Sequence, residues 1–325
     1  MFSSEEKALI KTFSLRQKHD IIIKFIESGQ KEDKSINNFL SELSDLSPHI
    51  QVKTEQKKDN HLPEIVIAEN IKYAAVPLAQ ELEPFLNALL PELVSSQSIL
   101  SQKVRKDLKK IEIPVKLKLF VAGECPHCAG FVNNMAAMAH ACKNIDVTII
   151  DAALFTKEAA RNSIMSVPCL VLDEEFRWTG TIAMEEITHV LADRDPAGLK
   201  AENLRTILEN GKASWLTRQM IAKNMIFPEF IKLVIHGIWS VRLGAMVVVE
   251  ELAEKNIELA NKICPVLWKQ YPSVSMDVKG DILYAIGEAG TSKDIKLIEN
   301  TIKSSDSPEL KEAARDALEN IRLRY

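Results

Sequence analysis

Gly123-Glu124-Cys125-Pro126-His127-Cys128-Ala129-Gly130 is the stretch whose reading decides the fold. It follows a short apolar run, Val115 to Val121, that reads as a strand, and it opens a helical run, Phe131 to Cys142. Two cysteines three residues apart on the first turn of a helix share one face. The orphan N–H groups and the dipole at that end favour a negative charge, so a thiolate becomes available near neutral pH. Cys125 is the expected nucleophile and Cys128 the expected resolving thiol of a disulfide exchange. Pro126 suits the first helical position, where no donor is missed. His127 places a potential cation or donor beside the thiolate, which favours the reduced form. The competing readings are a zinc or iron–sulfur site, with Cys169 as a further ligand, and two buried thiols without chemistry. A structural zinc normally takes four ligands, and the chain holds no second Cys-x-x-Cys and no close Cys/His pair, so no metal is expected.

Outward from this stretch, two similar halves emerge. Upstream, residues 5–18 read as a helix and Asp20 to Ile26 as a buried strand. A helix carrying Ile36, Phe39, Leu40 and Leu43 follows, then strands at Ile50–Thr54, Glu64–Ala68 and Ile71–Val76. Pro77 opens an amphipathic helix with Leu78, Leu82, Phe85, Leu86 and Leu89. Downstream, Asp146–Asp151, Pro168–Asp173 and a run from Glu175 to Trp178 read as strands. A short helix at Thr156–Asn162 and a closing one at Ala183–Leu191 accompany them. The repetition predicts a duplicated α/β unit. Nothing in Ser28-Gly29-Gln30-Lys31 replaces the cysteines, so the first copy is expected to be redox-inert.

From about Asp195 onward only helices are predicted: 199–210, 214–225, 228–236, 239–255, 257–271, 277–288, 292–304 and 308–323. Three of them align apolar stripes, each with a basic residue just after its first apolar position: Arg242, Lys279 and Lys311. Stripes of this kind are buried by stacking helix pairs, as solenoids do.

The 325 residues carry a net charge of −4, which speaks against a broadly basic nucleic-acid binder. The basic run Lys103, Arg105, Lys106, Lys109 and Lys110 reads as the solvated face of a linker helix. No apolar run is long enough to span a membrane, and the first residues have no apolar h-region. A cytoplasmic location is therefore expected, where five cysteines do not form a disulfide framework.

Further candidates lie outside the Cys-x-x-Cys. Val167-Pro168 heads a strand, where a cis bond would set the Val167 backbone beside the dithiol to pair with an extended substrate; an ordinary trans proline is the alternative. Cys169 is either a modulator of the pair or a packed core cysteine. Glu81 is either a proton carrier for the dithiol or a solvated surface glutamate. Cys142 and Cys264 read as core.

Taken together, residues 5–194 resemble the N-terminal domain of the alkyl hydroperoxide reductase flavoprotein subunit and the archaeal-type protein disulfide oxidoreductases. The matches are Leu62-Pro63-Glu64, Val76-Pro77-Leu78 with Glu81, Cys125-Pro126-His127-Cys128, Ile150-Asp151 and Met165-Ser166-Val167-Pro168. The resemblance implies tandem thioredoxin folds, a cis Pro168, Cys125 as nucleophile and Glu81 near the dithiol. In that flavoprotein subunit the domain passes electrons to a peroxiredoxin. No Gly-x-Gly-x-x-Gly occurs in this chain, so no flavin or nicotinamide cofactor is expected.

The expected architecture is α/β: a redox-inert thioredoxin-like fold over 1–112, a thioredoxin fold with the Cys-Pro-His-Cys site over 113–194, and an all-α HEAT-like repeat domain over 195–325. The expected function is a thiol–disulfide oxidoreductase. Its partners would be a protein disulfide, with a peroxiredoxin as one candidate, a separate reductase or thiol donor, and a protein held by the helical repeats. No nucleic acid and no membrane is expected among them. The alternative is a redox-responsive scaffold in which the dithiol is a switch and not a turnover site.

Overall fold

In the computed structural model, residues 1–57, 61–94, 99–173, 176–180 and 183–324 are described. The chain divides into two compact units, Met1–Arg194 and Asp195–Tyr325.

The first unit is built on one eight-stranded sheet. Its first half runs α1 (Ser4–Ser14), β1 (Ile21–Glu27), α2 (Asp33–Leu46), β2 (Ile50–Gln56), β3 (Glu64–Ala68), β4 (Ile71–Ala74), α3 (Leu82–Ala88), α4 (Pro91–Val94) and α5 (Gln102–Leu108). The second runs β5 (Val115–Val121), α6 (Cys128–Ala141), β6 (Ile145–Asp151), α7 (Thr156–Arg161), β7 (Cys169–Leu172), β8 (Phe176–Thr179) and α8 (Met184–Ala192). The strand order is β2-β1-β3-β4-β6-β5-β7-β8. The two halves therefore repeat one pattern: β1 pairs parallel with β2 and antiparallel with β3, as β5 does with β6 and β7.

The strands form where β-branched residues alternate with the pleat. In β1, Ile23 and Phe25 are buried beneath the helices, and Ile22 and Lys24 face outward. A capping box starts α1: Glu6 receives the Ser3 amide while the Ser3 hydroxyl receives that of Glu6. The halves are joined at β4 and β6, which pair in parallel. The Asn70 side-chain amide donates there to the carbonyls of Ala139 and Ile145 at 2.8 and 2.7 Å, and Lys72 pairs with Asp146 at 3.0 Å.

Several expected boundaries move. Pro77 does not open a helix: the chain stays extended to Leu78, makes a 3₁₀ turn at Ala79–Glu81, and only then enters α3. Pro126 is not in the helix either, since α6 begins at Cys128 with His127 as its N-cap. The Cys128 amide instead closes a turn onto the Cys125 carbonyl at 3.3 Å. Glu175, the expected start of a strand, lies outside the described residues; β8 is described from Phe176.

The second unit is helical: α9 (Ala201–Glu209), α10 (Ala213–Lys223), α11 (Ile231–Val234), α12 (Trp239–Lys255), α13 (Ile257–Asn261), α14 (Cys264–Gln270), α15 (Met276–Ala289), α16 (Ile295–Ser304) and α17 (Pro308–Arg324). The helix expected over 257–271 is split: Pro265 lacks the N–H that would continue α13 and sits in the first turn of α14. A 3₁₀ turn at Pro228–Phe230 likewise shortens the helix expected over 228–236. α12, α15 and α17 pack side by side. At Gly287 a Cβ would stand 2.9 Å from the Ala317 Cα, so glycine is what lets α15 and α17 approach. Arg242, Lys279 and Lys311 do not play one role. Arg242 is buried and donates to Asp277 at 3.0 Å, Asp281 at 2.5 Å and the His236 carbonyl at 2.8 Å. Lys279 lies over the Tyr271 ring at 5.6 Å, and Lys311 is half-buried on α17.

Candidate active site

Cys125 and Cys128 form a disulfide at the junction of β5 and α6, with their Cα atoms 5.5 Å apart. The loop that carries them is short because β5 ends at Val121 and the Cys125 amide turns back onto the Ala122 carbonyl at 3.0 Å. Cys125 is the more accessible partner, 9% exposed against 0% for Cys128. Cys128 begins a helix of 14 residues, so both cysteines lie at the positive end of its dipole. That is the electrostatic setting in which a thiol ionises near neutral pH.

The Val167–Pro168 bond is cis, and the Val167 carbonyl oxygen lies 3.8 Å from the Cys125 sulfur. Two residues before Val167, Met165 is 95% exposed, an apolar side chain standing in solvent.

Glu81 does not sit at the surface. It lies in the 3₁₀ turn before α3, is 6% exposed, and its Oε1 has no hydrogen-bond partner among the described residues. The turn packs against α6. Burial, and secondarily the charge of Asp151, push its carboxyl up to about 7. Glu81 lines a cavity the size of a single water, together with Tyr73, Val121, Gly123, Ile149 and Asp151. The Tyr73 hydroxyl also lacks a partner among the described residues, and burial together with the Glu81 charge raises its pKa well above the ordinary phenol range. Gly123 lies two residues before Cys125, so the cavity backs onto the dithiol loop. Two orphan polar atoms around a water-sized space are the setting in which a buried water satisfies both.

Cys169 is placed differently. On β7 it pairs with Phe120 and Thr179, on the sheet face that also carries Lys118 and its α7 partner Glu158. The opposite face, bearing Tyr73 and Leu119, is the one covered by α3 and α6. Cys169 is a buried free thiol 3.9 Å from the Thr179 hydroxyl. Cys142 and Cys264 are buried and lie outside any disulfide. Burial, with the Asp294 charge, pushes Cys264 up to about 12. Among the described residues no three His, Cys, Asp or Glu side chains converge as a metal-binding group.

The structure thus brings together Cys125, Cys128 and Val167, sets Glu81 behind the loop, and directs Cys169 to the other face of the sheet. Tyr73, Asp151 and Met165 were not recognised from their own chemistry. Asp151 closes a strand at the edge where the dithiol loop starts, which is a usable signal. Tyr73 reads as an ordinary core aromatic, and nothing in the sequence marks Met165 as exposed.

A thioredoxin-domain family model matches residues 115–192. Among curated proteins, the chain is 26% identical over 186 residues to a Bacillus subtilis protein named NADH dehydrogenase, covering 56% of this chain and 36% of that one. It is 26% identical over 182 residues to the F subunit of alkyl hydroperoxide reductase in Staphylococcus epidermidis, covering 54% and 35%. The chain therefore spans about a third of the length of these relatives. Among solved structures, the N-terminal domain of the Enterococcus faecalis alkyl hydroperoxide reductase AhpF superposes with a TM-score of 0.52 at 20% identity, covering 59% of this chain and all of that one. A protein disulfide oxidoreductase from Aeropyrum pernix gives 0.51 at 13% identity, covering 58% and 92%. The chain carries a thioredoxin-fold domain that resembles the N-terminal domain of AhpF and the protein disulfide oxidoreductases.

Proposed function

We propose that this chain is a thiol–disulfide oxidoreductase acting on a protein partner through Cys125 and Cys128. The observation that carries the reading is the Cys125–Cys128 disulfide at a helix N-terminus, with the sulfur of its more exposed residue, Cys125, beside the Val167 carbonyl. In the reduced state the Cys125 thiolate attacks a substrate disulfide. One substrate sulfur leaves as a thiolate, and the other is held in a mixed disulfide with Cys125. Glu81, with a pKa near neutrality and set behind the dithiol loop, takes the Cys128 proton, and a water held in the small cavity beside Glu81 would serve as the relay. The Cys128 thiolate then attacks the Cys125 sulfur and releases the second substrate thiolate. Two electrons have moved to the substrate, and the protein is left as the disulfide seen here. A separate reductase or thiol donor must restore the dithiol, and the step needs no flavin or nicotinamide on this chain. A substrate strand would pair with the backbone at Val167, with Met165 contributing apolar contact.

Within this proposal residues 1–112 and 113–194 are tandem thioredoxin folds, the first inert. Residues 195–325 are a HEAT-like array that recruits the partner, for which a peroxiredoxin is one candidate, and the setting is the cytoplasm. Support comes from the repeated strand order and from the side-by-side packing of α12, α15 and α17. A Cys128→Ser variant should accumulate mixed disulfides through Cys125; if trapping yields no more than a Cys125→Ser control, the exchange reading fails. Insulin-disulfide reduction distinguishes turnover from a redox-switched scaffold, which would show none.

A further inference from the structure

α12 carries an apolar stripe that nothing among the described residues covers. Trp239, Leu243 and Val247 recur every four residues and so share one face, and they are 61%, 45% and 38% exposed. Ile238, the N-cap residue, is exposed as well. On the neighbouring α15, Met276 and Tyr284 are 52% and 43% exposed. The two helices run in the same direction: Arg242 reaches Asp277 and Asp281 near their starts, and the Tyr284 hydroxyl reaches Glu250 at 2.8 Å further along. Gly280 lies between Met276 and Tyr284, and open space stands where its Cβ would be. The two stripes therefore flank a shallow channel. Single exposed apolar side chains are ordinary, but a contiguous set around a tryptophan marks a contact surface.

The rim of this channel is acidic. Glu250 and Glu254 stand on α12, and Asp277 and Asp281 on α15. Of the cations on the same helices, Arg242 is buried against both aspartates and offsets one of their two charges, Lys255 pairs with Glu251 at 3.3 Å, and Lys279 lies over Tyr271, so Glu250 and Glu254 carry most of the rim's charge.

We infer that this channel docks an amphipathic segment of a protein partner. Its apolar side chains fill the space between Trp239 and Tyr284, and its lysines or arginines meet Glu250, Glu254 and Asp277. Charge selects this occupant. A second copy of the same face would set carboxylates against carboxylates, and an anionic membrane surface would be repelled by the same rim. The inference sharpens the recruitment proposed for the helical unit by naming a surface and a partner chemistry, and it rests on no step at the dithiol.

The test selects displayed random peptides on the full chain. Enriched sequences should be net basic, with apolar residues at helical spacing. A synthetic peptide of the enriched sequence should bind more weakly by about tenfold or more to Trp239→Ala, the loss typical of a truncated anchor. Glu250→Lys/Glu254→Lys should weaken binding similarly, and added salt should weaken it for the unsubstituted chain. Both variants should melt with the parent and reduce insulin at the parent rate, which separates failure here from failure of the exchange reading. The inference is overturned if no sequence is enriched, if the enriched peptides are acidic or neutral, or if both variants bind them as the parent does. It is also overturned if the chain is a dimer that Trp239→Ala disperses, or if it sediments with phosphatidylserine vesicles through Trp239.

Discussion

After β1 the chain turns through Ser28 and Gly29 into α2; after β5 it turns through Gly123 and Glu124 to Cys125 and into α6. The loops hold the same place in the two halves of the sheet, and each is closed by a different group. In the first, the Asp33 carboxylate accepts the Ser28 amide at 3.1 Å, the Gly29 amide at 2.7 Å and the Ser28 hydroxyl at 3.0 Å. Gly29 adopts a positive φ of 79°, which costs glycine little. In the second, the Cys125–Cys128 disulfide spans the turn. One loop satisfies its donors permanently, while the other is closed by a bond that exchange chemistry can open. The half without cysteines is nonetheless not idle, because Tyr73 and Glu81, behind the dithiol loop, both belong to it.

The contrast can be broken from several sides. Cys125→Ser should have the largest effect, reducing insulin-disulfide turnover to the uncatalysed background while leaving the fold intact by circular dichroism. Restored turnover in that variant would move the chemistry elsewhere. Glu81→Gln comes next. Losing a positioned proton carrier should slow exchange by about a hundredfold near neutral pH and remove an ionisation near pH 7 from the rate profile.

The same residue sets a stability trend. Its folded pKa is raised above the unfolded value of 4.5, so its contribution is complete below about 4.5 and is lost as pH rises through about 7. The loss is at most about 3 kcal/mol. Chemical denaturation at both ends of that window should show the parent losing stability with pH relative to Glu81→Gln.

Asp33→Ala tests the silent loop. Leaving its donors without their carboxylate should cost about 1–2 kcal/mol in a denaturation midpoint, with insulin turnover unchanged. A fall in turnover would mean that the two loops are coupled. Tyr73→Phe should be smallest. The hydroxyl has no partner among the described residues, so its removal should shift stability by less than about 1 kcal/mol. A larger loss would show that the hydroxyl is bonded to a water held in the cavity.

Much of the first unit was legible because its strands are β-branched runs with the period of the pleat. Glu64–Ala68 and Val115–Val121 match β3 and β5 residue for residue. The entry to α3 was not legible: Pro77 is a good helix starter, but the Ala79 amide is taken by Glu6 of α1, a contact 73 residues away. In the second unit, α12 was legible from end to end, whereas Pro265 divided a longer apolar pattern into α13 and α14. Arg242, Lys279 and Lys311 look alike in sequence, and only packing made Arg242 the buried one.

The sequence by itself determined the dithiol and its strand-to-helix setting, the duplication and the change from α/β to helical chain near Asp195. These depend on local spacing, on hydrophobic period, and on which residue types can supply a thiolate. Only the tertiary structure decided that Glu81 is buried behind the loop, that Cys169 points to the other face, and that Trp239, Leu243 and Val247 are left uncovered. Each of these depends on which distant segment lies against the side chain. Helical spacing shows that a stripe is apolar; what covers it is settled by packing.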